Sequence, residues 1–96
     1  MFVLITYDVC TSDPAGAKRL RKVSKLCERY GMRVQNSVFE VLVDAAQLAV
    51  LKAELKKIID LETDSVRFYR LGNTYENKID TLGKSAVIDA CATLLL

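Results

Sequence analysis

Asp8 closes the apolar run Phe2-Val3-Leu4-Ile5-Thr6-Tyr7 and so places a carboxylate where an extended segment gives way to the polar cluster Cys10-Thr11-Ser12-Asp13-Pro14. Junctions of this kind are where ligands and substrates gather. The side chain has two readings: it satisfies loop amides, or it is a ligand for magnesium. Magnesium keeps several of its waters and takes only one or two protein carboxylates, so one Asp8 from each of two chains is chemically sufficient. A cation held there makes its water a better nucleophile and neutralises charge on a phosphodiester. The chain has no histidine, which excludes Ser-His-Asp and Cys-His nucleophile pairs and the common His-ligated zinc sites. Any catalysis falls to carboxylates, hydroxyls, thiols and cations.

The cations are unevenly placed. Residues 16–33 hold seven of the 14 Lys and Arg against the single acid Glu28, a net of +6, while the whole chain carries +2. Such an asymmetry suits a polyanion facing one surface, or a solvated basic helix. At helical spacing Lys18, Arg21, Lys22, Lys25 and Arg29 fall in one stripe roughly 100° wide, either a solvated face or a nucleic-acid track. Arg19 falls outside the stripe on the core side of the first turns, where its guanidinium can reach Asp8 or a phosphate. Tyr7 lies on the helix-facing side of its strand and reads as core. Phe39 reads as packing too, although an exposed aromatic beside Arg33 can stack a base. Cys10, Cys27 and Cys91 are odd in number with no Cys-x-x-Cys spacing, against a disulfide framework and a structural zinc. Nothing near Cys10 in the sequence activates its thiol, and a reducing cytoplasm is the expected setting. Thr11, Ser12 and Gly16 lack the Gly-Lys-Ser/Thr ending of a phosphate-gripping loop, and residues 33–39 lack the glycine and aromatic spacing of an RNA-recognition domain.

Ninety-six residues, about half of them hydrophobic, make one small globular domain. Its apolar run over residues 2–7 is far too short to span a membrane, and no membrane partner is expected. Phe2 to Val9 reads as a strand. Asp13 as N-cap and Pro14 at the first helical position open a helix that runs to about Tyr30 and stops at Gly31. Arg33 to Val43 reads as two short strands turning near Asn36-Ser37. Asp44 and Gln47 have capping-box spacing ahead of a helix bearing Leu48, Leu51, Leu55, Ile58 and Ile59 at helical period. Ser65 to Leu71 is a further strand ending at Gly72-Asn73. The order βαββαβ makes an α+β, ferredoxin-like sandwich with both helices on one face of an antiparallel sheet over residues 1–82, and a short fifth strand is expected over 77–82. The tail over 83–96 is open to a strand, to docking on a partner chain or to a loose segment, and its apolar residues, which lack company in so small a body, favour docking. Alternation sends Val3, Ile5 and Tyr7 to one face of the first strand and Phe2, Leu4, Thr6 and Asp8 to the other, so both faces are largely apolar. The helices cover only one of them. The expectation is a homodimer that buries the second face, with Asp8 at its rim near the symmetry mate.

Taken together, Ile5-Thr6-Tyr7-Asp8-Val9, Lys18-Arg19-Leu20-Arg21-Lys22-Val23, Tyr30-Gly31-Met32-Arg33-Val34-Gln35-Asn36-Ser37-Val38-Phe39-Glu40 and Val66-Arg67-Phe68-Tyr69-Arg70-Leu71-Gly72 give a chain that resembles the second core CRISPR-associated protein, the small partner of the CRISPR integrase. The resemblance covers roughly residues 1–82. It implies a ferredoxin-like homodimer and a magnesium-dependent endonuclease on single-stranded RNA or double-stranded DNA, acting in the acquisition of new spacers. Carried over by position, it implies Asp8 as metal ligand beside Tyr7, Arg19 and Arg33 as phosphate or active-site cations, and Phe39 as the aromatic of its segment. Asn36 stands where many relatives have tyrosine. The alternative is a non-catalytic dimeric adaptor that binds duplex DNA and bridges integrase subunits, resting on the basic segment and the apolar tail.

Overall fold

The structure is a computed structural model that describes residues 1–74 and 76–83. Its elements are strand β1 (Phe2–Asp8), helix α1 (Pro14–Glu28), strands β2 (Gly31–Gln35) and β3 (Val38–Leu42), helix α2 (Ala45–Ile58) and strand β4 (Ser65–Gly72). The strands form one antiparallel sheet in the order β2-β3-β1-β4, with both helices on one face, as the element order requires. Each helix starts where its cap residues satisfy otherwise unpaired amides. Asp13 accepts from the Ala15 amide at 3.1 Å with Pro14 next in line, and Asp44 and Gln47 form the reciprocal box at 2.7 and 2.9 Å.

The core lies between the sheet and the helices. Val3, Ile5 and Tyr7 of β1 and Phe39 and Val41 of β3 meet Leu20, Val23, Leu26 and Cys27 of α1 and Leu48, Leu51 and Leu55 of α2. Burial raises the Cys27 thiol to about 12, so it packs as a small apolar group.

Two boundaries differ from the sequence reading. The first helix ends at Glu28 with Arg29 as its C-cap, and Gly31 is the first residue of β2. Glycine is required there by close approach, because a Cβ would run into the Glu40 carbonyl oxygen and the Val41 Cα of the neighbouring strand. The expected fifth strand over 77–82 does not form. Gly72, at φ +80°, turns the chain out of β4, residues 76–78 make a 3₁₀ turn, and the Lys78 ammonium is spent on the Leu71 carbonyl at 2.8 Å. This segment lies over the open face, leaving a cleft of about 340 Å³ lined by Phe2, Leu4, Tyr69, Leu71 and Ile79. Part of the apolar face expected to be bare is thus covered by the chain itself, and Phe2 is buried there. Leu42 remains 55 % and Tyr69 43 % exposed. The tail, from residue 84 onward, lies outside the described residues.

Candidate active site

Asp8 is the last residue of β1 and its side chain is exposed on the open face, opposite the helices. Pairing fixes what stands beside it, since directly opposed residues share a face. Asp8 faces Ser65, Thr6 faces Arg67, and Leu4 faces Tyr69. On the other flank the Tyr7 amide donates to the Ser37 carbonyl at 2.9 Å, so the β2–β3 turn abuts the same strand end. Among the described residues no hydrogen bond or ion pair reaches the Asp8 carboxylate, and no group of three or more His, Cys, Asp or Glu is placed to hold a metal ion. The described loop amides therefore do not bond the Asp8 carboxylate.

The residues expected around it are distributed differently. Tyr7, 2 % exposed, points to the helix side, where its hydroxyl donates to Asp64 Oδ2 at 2.5 Å. Arg19 pairs with Asp64 and not with Asp8: its Nε and Nη2 donate to Asp64 Oδ2 and Oδ1 at 2.8 and 3.2 Å, and its side chain stays 21 % exposed. Tyr7 and Arg19 thus lie behind the sheet, and alternation along β1 is the reason. Burial, then the bond to Asp64, raises the Tyr7 hydroxyl to about 12, so it stays a donor. Burial alone would push the Asp64 carboxyl up. The bonds from Arg19, Tyr7 and the Asp60 amide outweigh it and hold the carboxyl at about 2. The same pairing raises the Arg19 guanidinium above its ordinary value.

Arg33 is committed to the hairpin, donating to the Asn36 carbonyl at 2.9 Å and to Asn36 Oδ1 at 2.8 Å. Asn36 therefore has a turn-closing role that a tyrosine there would not reproduce. Phe39 is wholly buried opposite Ile5 and cannot stack a base. The exposed Cys10 has a neighbour the sequence reading lacks. Ser12 Oγ lies 3.1 Å from its sulfur and, with the Ser12 and Asp13 amides, draws the thiol below its ordinary value.

Lys18, Arg21, Lys22, Lys25 and Arg29 are all exposed along α1, in the layer on the other side of the sheet from Asp8. Lys22, Lys25 and Arg29 join Lys57 and Glu54 of α2 around a groove of about 420 Å³. The stripe and the carboxylate are two separate surfaces.

Arg67 and Asp64 are the residues that sequence reasoning missed. Arg67 is exposed on the open face one diagonal step from Asp8, with Nη1 3.4 Å from the Tyr69 hydroxyl. The Tyr69 hydroxyl raises its guanidinium above the ordinary value, and the negative Asp8 adds to that. Strand alternation over 65–72 is the signal that finds Arg67 once the register with β1 is known. Asp64 has no local signal, because its partners lie 45 and 57 residues away.

A family model described as "CRISPR associated protein Cas2" matches residues 1–79. The chain belongs to the Cas2 family. The "CRISPR-associated endonuclease Cas2" of Halalkalibacterium halodurans is 60 % identical over 89 residues, 93 % of each chain. The "CRISPR-associated endoribonuclease Cas2 3" of Rhodospirillum rubrum is 49 % identical over 94 residues, 98 % of this chain and 99 % of that one. The crystal structure of Streptococcus pyogenes Cas2 at pH 6.5 superposes with a TM-score of 0.82 at 57 % identity, covering 86 % of this chain and 100 % of that chain. These likenesses bear out the Cas2 fold and the family resemblance read from the sequence. No described helix is long and apolar enough to cross a membrane.

Proposed function

We propose that this Cas2-family nuclease hydrolyses phosphodiesters of DNA or RNA with magnesium held between the Asp8 residues of two copies, in the acquisition of new CRISPR spacers. The observation that carries this reading is the Asp8 carboxylate itself, exposed at a strand end with no protein hydrogen bond among the described residues.

The donor set fits magnesium as a pair of chains and not singly. One uncommitted carboxylate leaves most of a hydrated ion's shell as water, and a second copy contributes the second ligand. Met32, Leu42 and Tyr69 are exposed apolar residues on the same face, and a second copy is what covers them. When bound, the cation supplies charge neutralisation at the phosphodiester and a more acidic water.

The chain's own residues then have distinct tasks. Asp8 fixes the position of the site. Arg67, beside it on the open face, draws phosphate oxygens to the same rim and steadies negative charge as it develops. Arg33 keeps the Asn36 turn closed next to the strand end. The test is cleavage of single-stranded RNA and of duplex DNA in magnesium and in EDTA. The wild-type chain is expected to cut only in magnesium, and activity persisting in EDTA contradicts the reading.

A second reading, an adaptor that holds DNA by its backbone and bridges CRISPR integrase subunits, is favoured by the place of the basic stripe. Duplex bound along α1 leaves the open face for the second copy, so binding and cleavage are separable. Replacing Lys22 and Lys25 together with glutamate is expected to weaken binding to duplex of any sequence and to flatten the slope of log K against log salt by about 2, through lost counterion release. An unchanged slope in a salt titration removes α1 from the DNA surface.

A further inference from the structure

We propose that Asp64 is a positioning residue for the Asp8 site. The proposal rests on Asp8 being the reactive carboxylate. The Asp64 side chain is 1 % exposed, yet it is the most heavily bonded acid among the described residues. It accepts from the Tyr7 hydroxyl on β1, from two nitrogens of Arg19 on α1, from the Asp60 amide at 3.0 Å and from the Thr63 hydroxyl at 3.3 Å. One carboxylate thereby ties together the end of the catalytic strand, the first turns of α1 and the loop between α2 and β4.

Its place in the chain gives that knot its meaning. Asp64 directly precedes Ser65, the backbone partner of Asp8, while Tyr7 directly precedes Asp8 itself. Both backbone segments that locate Asp8, its own strand and the strand opposite, are thus anchored to one buried carboxylate on the far side of the sheet. Among the described residues no side-chain bond holds Asp8, so its position there is set by the backbone. A displacement of about 1 Å at a reacting group is enough to matter for catalysis. Stability is a weaker account of the knot. An ion pair whose carboxylate is buried and desolvated gains little over apolar packing, whereas a two-nitrogen fork and a phenol fix direction as well as distance.

The experiment uses the full chain carrying Asp64→Asn, which keeps the shape of the side chain and removes its charge. Amide hydrogen exchange is measured residue by residue, and Mn²⁺ binding is measured by titration calorimetry, with the thermal midpoint recorded. A positioning role predicts exchange about tenfold faster at residues 6–8 and 65–67, with Val3 and Val41 changed less than about twofold, and Mn²⁺ affinity weakened about tenfold. Uniform acceleration across the sheet, or exchange and affinity both unchanged, overturns it. Should Asp64→Asn fail to fold, Tyr7→Phe removes only the phenol bond and is expected to loosen the same six residues. Wild-type chain that binds no Mn²⁺ refutes the cation reading of Asp8, while the exchange pattern still decides the role of Asp64.

Discussion

Asp8→Ala is expected to cut RNA or duplex DNA about a thousandfold more slowly than the wild-type chain in magnesium, a loss on the order of 4 kcal/mol of transition-state stabilisation. Its thermal midpoint should barely move. The two expectations come from the same observation, because a side chain that is exposed and bonded to nothing among the described residues contributes little to folding; substitutions at such positions usually stay within about 0.5 kcal/mol. Cleavage assays beside thermal melts check both. Equal cleavage by variant and wild type would assign the activity to a contaminant or to another residue. A large drop in midpoint would give Asp8 a structural role that its surroundings do not show.

If two copies meet by their open faces as proposed, Leu4→Glu is expected to leave monomers at micromolar concentration. Leu4 lies at the middle of β1 on the open face, between Glu40 of β3 and Tyr69 of β4. A carboxylate there adds to the charge of Glu40 and must be desolvated when the two sheets meet. Two-fold symmetry places the change on both sides of the contact. At about 2 kcal/mol or more for each central residue, the dissociation constant rises by about a thousandfold. Sedimentation velocity reads the result. Cleavage should fall with the dimer if the two Asp8 residues act together, whereas a stable dimer of the variant would place the interface elsewhere.

What the sequence makes legible here is mostly local. The Asp13-Pro14 start, the Asp44/Gln47 box and the turn at Asn36-Ser37 depend on residues within a few positions of one another, and each forms as its chemistry dictates. The inward set Val3, Ile5 and Tyr7 follows from alternation alone. What is illegible depends on distant partners. The direction of Arg19 is decided by a carboxylate 45 residues later, so an arginine at the right height beside Asp8 turns to the other side of the sheet. The burial of Phe39 is decided by the register of β3 on β1, which puts it against Ile5 beneath the helices. Arg67 enters the site through pairing with Thr6, a relation that no spacing within β4 reveals. Gly31 resembles a helix stop in sequence and is in fact a point of close strand approach.

In the proposed function one cation is shared by two Asp8 carboxylates. Mn²⁺ titration calorimetry on a preparation whose mass has been determined by sedimentation tests it most directly. The expected result is one site for every two chains, absent from Asp8→Ala. One site per chain, or binding that survives the loss of Asp8, would contradict it.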